Sequence, residues 1–201
     1  MKELPNSIYV MNRELETARL RLQPCRMEDL EVVYKLWTDE HVRQFLFDDK
    51  VITIDEARSF VEASQENFAK HNYGIWLVFA RDDESLIGFA GFLRLAEDVP
   101  NLIYGIHPDF CGKGYATEAA AKVLSYAFEN LALPLVQADV DEPNVLSIRV
   151  LEKLAMVKTG RTIVAGRRLV MYEKSHEQNT GNKQSTASRI HSLILTCLSM
   201  T

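Results

Sequence analysis

The sequence predicts a domain of mixed α/β (α+β) class built on a mixed central sheet. Three observations lead there. Strand-like and helix-like periodicities alternate along the chain as strand, two helices, three strands, helix, strand, helix, two strands. A glycine-bearing turn, Gly112-Lys113-Gly114, joins an apolar run to an alanine-rich helical stretch. The chain has 201 residues, 47% hydrophobic and 25% charged, enough to bury a core without disulfide or metal staples.

The elements follow in order. Residues 1–15 show no clear period and read as an N-terminal extension; the domain itself is expected over 16–176. Arg19-Leu20-Arg21-Leu22 alternates polar and apolar, a strand stopped by Pro24. From Met27 to Trp37, Leu30, Val33, Tyr34 and Trp37 recur at helical spacing. Thr53-Ile54-Asp55-Glu56 is a capping box opening a helix to about His71, with Ala57, Phe60, Val61, Ser64 and Phe68 facing inward and Asn72 as the stop. Gly74–Ala80 and Leu86–Leu95 read as an antiparallel hairpin around the polar turn Asp82–Ser85. Gly88 and Gly91 inside it suggest a bulge or a close backbone approach. Glu97–Pro100 is a loop, and Leu102–His107 is a strand ended by Pro108. A helix over Gly114–Asn130, a strand over Leu135–Asp141 and a helix from Pro143-Asn144 to about Leu154 come next. Two strands, Val157–Val164 and Arg168–Glu173, close the domain around Ala165-Gly166. Residues 177–201 begin as a polar stretch poor in apolar residues, which predicts a disordered tail.

The net charge of −5 argues against nucleic acid as a partner, because duplex binding needs a basic face. No apolar run approaches the ~20 residues of a membrane span, and the N-terminus lacks the apolar segment of a secretory signal. Cys25, Cys111 and Cys197, odd in number and widely spaced, offer no metal or disulfide pattern and point to a reducing, cytoplasmic compartment.

The chemistry concentrates in Leu102–Ala120, which reads strand, short loop, glycine turn, helix. Gly112 and Gly114 can adopt positive φ and leave the backbone uncovered. The first amides of the following helix lack internal partners and carry the positive end of its dipole, a setting for phosphate. Lys113 adds a cation. A tight packing turn would use the same glycines. A Walker P-loop is excluded, since Lys113 precedes Gly114 and no Ser or Thr follows it. A dinucleotide fingerprint fits poorly: Thr117 stands at the third glycine, and Asp139 or Asp141 would have to serve as the ribose acid.

A third reading is a resemblance. Cys111-Gly112-Lys113-Gly114-Tyr115-Ala116-Thr117-Glu118 resembles the pyrophosphate loop Q/R-x-x-G-x-G/A of the GNAT N-acetyltransferase superfamily, with Cys111, Gly114 and Ala116 in the defined places. The surrounding text is similar to the RimJ/RimL-like branch: PDFCGKGYATEA against P-x-[YF]-W-G-K-G-Y-A-T-E-A, and Asn144–Leu154 against N-x-x-S-x-[RK]-[VL]-L-E-K-L. Thr17–Pro24 and Gly166–Tyr172 match that branch's opening and closing motifs, so the likeness spans about residues 16 to 175.

The resemblance implies a strongly bent mixed sheet flanked by helices, the acyl-CoA N-acyltransferase fold. In it two parallel strands, here Leu102–His107 and Leu135–Asp141, splay apart to admit acetyl-CoA, with no metal. It implies that main-chain groups around Ile106 and His107 meet the pantetheine arm. The amides of Cys111, Gly112, Lys113, Gly114, Tyr115 and Ala116 would hold the pyrophosphate, helped by the Thr117 hydroxyl, and Asn144 would bond the arm. Ser147 would return a proton to the leaving thiolate. The acceptor would be a primary amine, on a small molecule or a protein N-terminus, and a homodimer is compatible with the pattern. Relatives often carry Glu where Asn101 stands, so water, His107 or another carboxylate must serve as base. A non-catalytic CoA-binding or sensing protein is the alternative. Residue by residue, plain readings compete: His107 as a structural histidine, Ser147 bonded within its helix, Asn144 as an N-cap, Trp37 and Trp76 as core. Asp48, Asp49 and Asp82–Glu84 read as solvated loops, with the carboxylates from Asp39 to Asp49 available to attract a cationic acceptor.

Overall fold

The computed structural model describes residues 13–94 and 99–176. The N-terminal extension up to residue 12, Glu97-Asp98 of the expected loop and the tail from 177 lie outside the described residues. Eight strands form one mixed sheet in the order β1-β2-β3-β4-β5-β6-β8-β7, with helices on its faces. The strands are β1 (Leu15–Glu16), β2 (Leu20–Pro24), β3 (Ile75–Ala80), β4 (Leu86–Arg94), β5 (Pro100–Ile106), β6 (Leu135–Asp141), β7 (Val157–Val164) and β8 (Arg167–Ser175). The helices are α1 (Leu30–Thr38), α2 (Glu40–Leu46), α3 (Ile54–His71), α4 (Tyr115–Ser125) and α5 (Val145–Lys153). The α/β class with a mixed sheet is as the sequence predicted. No described helix is long and apolar enough to cross a membrane.

Strand β3 shows why the sheet lies between layers. Its run IWLVFA is apolar throughout because both faces are covered. Trp76 and Val78 join a cluster with Phe92, Ala119 and Val123, whereas Ile75 and Leu77 join a second with Val33, Trp37 and Val61. The Thr53 box forms in full: Thr53 Oγ1 accepts from the Glu56 amide at 3.2 Å, and the Glu56 carboxylate accepts from the Thr53 amide at 2.6 Å. Helix α3 stops at Asn72, at φ 61°. Its inward residues Ala57, Val61, Ser64 and Phe68 are buried; Phe60 is partly so.

Three elements differ from expectation. The two-residue β1 is too short to show a period. Helix α2 buries only Val42, so it has no stripe; Asp39 starts it by accepting from the amides of His41 and Val42. The helix expected to reach Asn130 is α-helical only to Ser125, then widens into one π turn, Tyr126–Asn130, where the Tyr126 hydroxyl donates to the Asn72 carbonyl at 2.9 Å.

The β3–β4 pairing carries the bulge that the glycines suggested. Val78 faces Gly88 and Phe79 faces Leu86, leaving Ile87 extra. A Cβ on Gly88 would lie 2.2 Å from the Gly105 carbonyl oxygen of β5, and one on Gly91 would lie 2.1 Å from the Gly74 oxygen. The backbones therefore approach closely at both places.

Candidate active site

Among the described residues, strands β5 and β6 are the sheet's one parallel pair, and they share a single register pair, Asn101 with Gln137. Beyond it they part. His107 donates its amide to the Ile87 carbonyl on β4 at 2.8 Å. By the alternation of an antiparallel ladder, the N–H and C=O groups of Tyr104 and Ile106 then point the other way, across to β6, where no register partner meets them. On the opposite side the Glu142 amide donates to the Arg168 carbonyl of β8, so the main-chain groups of Asp139 and Asp141 face the gap. The Asp141 carbonyl is occupied by the Asn144 amide at 2.8 Å. Unpaired main-chain groups require partners, so this gap is built to receive a chain that can hydrogen-bond like a peptide.

At the mouth of the gap lies the glycine turn. Gly112 and Gly114 sit at φ 77° and 82°, the left-handed region that glycine tolerates. The amides of Gly112, Lys113, Gly114, Tyr115, Ala116 and Thr117 have no acceptor among the described residues, and six successive free donors at a helix start form an anion nest. The Cys111 amide is not among them, because it donates to the Pro108 carbonyl at 3.0 Å.

The turn is clamped from outside. The Arg19 guanidinium donates to the Lys113 carbonyl at 3.0 Å and to the Glu118 carboxylate at 2.7 Å, and lies 4.6 Å over the Tyr115 ring. Thr17 Oγ1 donates to the same carboxylate at 2.6 Å. Burial works to raise the Glu118 carboxyl, but the hydrogen bonds from Thr17 and Arg19 outweigh it and hold the group below the usual carboxylate range.

Side chains at the gap divide by face. On the α5 side, the Tyr104 hydroxyl donates to the Ser147 carbonyl at 3.0 Å, tying β5 to α5. Burial pushes the Tyr104 phenol up, so it remains a donor. Asn144 Oδ1 accepts from the Ser147 amide at 3.1 Å as the N-cap of α5, and the Ser147 hydroxyl has no partner among the described residues. On the other face lie Asn101, Gln137, Asp139 and Asp141. Arg167 bridges Asp141 to Asp48 from the loop after α2. The Asn101 amide donates to Asp139 Oδ2 at 2.9 Å.

Residues 19–157 match the family described as acetyltransferase (GNAT) domain. This chain belongs to the GNAT acetyltransferase family. It is 30% identical over 148 residues to an uncharacterized N-acetyltransferase, YoaA, of Bacillus subtilis strain 168, covering 73% of this chain and 84% of that one. Among solved structures, a putative GNAT-family acetyltransferase from Bordetella pertussis superposes with a TM-score of 0.72 at 20% identity, covering 81% of this chain and 99% of that one. A RimL ribosomal L7/L12 α-N-protein acetyltransferase in complex with coenzyme A superposes at 0.70 with 14% identity, covering 81% and 98%.

Within the GNAT frame, the residues singled out from sequence fall as follows. Ile106 ends β5 with its main chain toward the gap, and Gly112 to Thr117 form the free-amide turn. Lys113 folds away, its ammonium 3.3 Å from the Asp109 carbonyl and 5.2 Å from the Phe110 ring centre, so in this arrangement it backs the turn. Cys111 contributes an exposed thiol near the Ile106 and His107 carbonyls, at 3.6 and 3.7 Å, while its amide, expected in the pyrophosphate set, is already bonded. The His107 main chain, expected to meet the arm, is already bonded, its amide to the Ile87 carbonyl and its carbonyl to the Phe110 amide at 2.9 Å, while Nδ1 accepts from the Asp109 amide at 3.3 Å and Nε2 stands 4.0 Å from Asp39. Asn144 and Ser147 stand together at the start of α5. Of the carboxylates expected to attract a cationic acceptor, Asp48 pairs with Arg167, which Asp141 shares, and Asp49 pairs with Arg43 at 3.0 Å.

Sequence reasoning missed Arg19 and Glu118, and weighed Asp139 only as a ribose acid. The first two stand inside quoted motifs, and their pairing across 99 positions was the lost signal. The contact of Asp139 with Asn101 carried no signal, since a polar residue on the open face of a strand is ordinary.

Proposed function

We propose that this GNAT protein moves an acetyl group from acetyl-CoA to a primary amine, as a member of the RimJ/RimL-like branch. One observation carries the reading: β5 and β6 part after a single register pair, and the free amides of Gly112–Thr117 stand at the open end. Acetyl-CoA would bring an activated thioester, and its diphosphate and amide-rich arm match an anion nest followed by unpaired strand groups.

The chain's own groups then have distinct tasks. The Gly112–Thr117 amides bind the diphosphate in a dipole field that a helix start supplies without reorganisation. The N–H groups of Tyr104 and Ile106 are directed donors for the arm or for the oxygen on which charge develops. Asn144 Nδ2 remains available to the arm while Oδ1 caps α5. Ser147 Oγ, unpartnered on the α5 side, donates a proton to the departing thiolate. Tyr104 holds Ser147 in place through its carbonyl. The acceptor enters from the opposite face, where Asn101, Asp139 and Asp141 lie. A protein N-terminus, a polyamine, an amino sugar and an aminoglycoside all present the required amine.

A CoA-binding sensor is the second reading, motivated by the amide at Asn101 in place of a base. Two measurements separate them. Saturating acetyl-CoA should raise the melting temperature and NAD should not; the reverse ends the coenzyme A assignment. Thiol release from acetyl-CoA over a panel of primary amines identifies a transferase, and firm binding without turnover identifies the sensor. Ser147→Ala should lower kcat with little change in acetyl-CoA affinity, and an unchanged kcat removes Ser147 from the mechanism.

A further inference from the structure

Asp139 lies two residues beyond Gln137, where β6 has left β5, and it is partly buried. Its side chain shares a face with Gln137 and Asp141, the face opposite the buried Val136, Ala138 and Val140. A carboxylate in such a place normally has a cation. This one has a neutral amide: Asn101 Nδ2 at 2.9 Å is its one hydrogen-bond donor among the described residues. The nearby charges are accounted for. On β8, Met171 stands directly opposite, and Glu173 accepts from Gln137 Nε2 at 3.0 Å. Further along β6, Asp141 is paired with Arg167, which also holds Asp48. On β5, the same face offers Ile103 and Gly105, which bring no charge.

We propose that Asp139 is the general base of the transfer, supplying from β6 the carboxylate that Asn101 does not supply from β5. The proposal rests on the transferase reading above. The acceptor arrives as an ammonium ion. Asp139 takes one proton from it and later releases that proton to solvent. The freed lone pair forms the N–C bond to the acetyl carbon, the C–S bond breaks, and the remaining proton lost from nitrogen reaches the thiolate by way of Ser147. The products are the amide, free coenzyme A and one proton, so charge and atoms balance. The two proton tasks fall on opposite faces of the gap, Asp139 toward the acceptor and Ser147 toward α5.

Basicity suits the task. Burial pushes the Asp139 carboxyl up, the Asn101 hydrogen bond pulls it back, and the Glu173 charge adds to the rise. A base raised toward the working pH removes an ammonium proton more effectively than a solvated carboxylate. Asn101 is then a positioning residue: it orients one oxygen and leaves the other, Oδ1, for the proton.

The test uses the full chain, acetyl-CoA, and a panel of spermidine, glucosamine, kanamycin and short seryl- and alanyl-peptides, followed by thiol release. Asp139→Asn keeps the shape and an acceptor for Asn101. It should lower kcat/KM for the best amine by roughly 10²- to 10⁴-fold and abolish the acidic limb of the pH–rate profile. Its acetyl-CoA melting shift should match the native chain. A variant rate within threefold of native, or an intact acidic limb, overturns the proposal. Asn101→Ala is the second variant. Losing the donor should move the acidic limb to higher pH, and an unmoved limb overturns the proposal independently. If the native chain binds acetyl-CoA but acetylates no amine, the transferase reading falls and takes this one with it. If the native chain turns over and Asp139→Asn does so equally well, this one falls alone.

Discussion

Replacing Gly112 or Gly114 by alanine separates what the fold requires from what the ligand requires. Both residues have positive φ, 77° and 82°, so an alanine in either place is strained by about 1–2 kcal/mol. There is nonetheless room. A Cβ on Gly112 would meet nothing within 4 Å, and one on Gly114 only the Arg19 guanidinium at 3.6 Å. The expected stability loss is strain alone, a fall in melting temperature of roughly 2–8 °C for a domain of this size. Gly166 in the β7–β8 hairpin is the control. Its φ is 83°, its Cβ position is equally open, and it lies away from the nest. All three variants should melt lower by similar amounts. They should differ in their response to acetyl-CoA at a hundredfold its Kd, which adds about 2.7 kcal/mol to a chain that binds it. The native chain and Gly166→Ala should gain that increment. Gly112→Ala and Gly114→Ala should lose most of it, because the open space a Cβ would enter is the space where the amides converge on the diphosphate. The assay is a fluorescence melt with and without acetyl-CoA. Full ligand shifts in Gly112→Ala and Gly114→Ala would refute the reasoning, since the free amides would then hold nothing.

Arg19→Ala should weaken acetyl-CoA binding by about tenfold, roughly 1.4 kcal/mol, although Arg19 stands outside the nest; an unchanged Kd by calorimetry would show that the turn keeps its shape without the clamp. Because Glu118 is held below its ordinary value, the stability it lends is present above the unfolded pKa of about 4.3 and is lost as pH falls through the folded one. Melts of Glu118→Gln and the native chain should therefore converge at acid pH. In a Cys197→Ser background, a thiol reagent should label exposed Cys111 and spare Cys25, whose thiol burial pushes up to about 12. Acetyl-CoA should slow the Cys111 reaction, and labelling that ignores the ligand would place the ligand elsewhere.

Much of the fold was legible because its signals are local. The Thr53–Glu56 box, the Asn72 stop, the both-face-apolar β3 and the bounds of β6 each depend on residues within one element. The nest was legible for the same reason: two glycines two positions apart at a strand-to-helix turn declare their φ values in the sequence. Helix α2 was not legible, because seven residues burying one valine leave no period to detect. Nor was the π turn, which answers to a tertiary demand, the hydrogen bond from Tyr126 to the Asn72 carbonyl. The clamp of Thr17 and Arg19 on Glu118 joins residues about a hundred positions apart, and the pairing of Asn101 with Asp139 spans 38. Such pairs become visible only when strands are laid side by side.

The placement of the gap follows from the same neighbour relations. Ile87 is the extra residue of the β4 bulge, and its carbonyl takes the His107 amide at the end of β5. A bulge bends its strand and steepens the local twist, so the end of β5 is carried with β4. Gly88 and Gly105 let the two backbones approach closely enough for that coupling, since a Cβ on Gly88 would strike the Gly105 oxygen. Strand β6 meanwhile keeps an unbroken antiparallel ladder to β8, from Leu135–Ser175 to Asp141–Leu169. One strand turns with its bulged neighbour and the other stays with its regular one. Their shared register therefore ends after Asn101–Gln137, and Asp139 is left where β6 first faces β5 without a register partner.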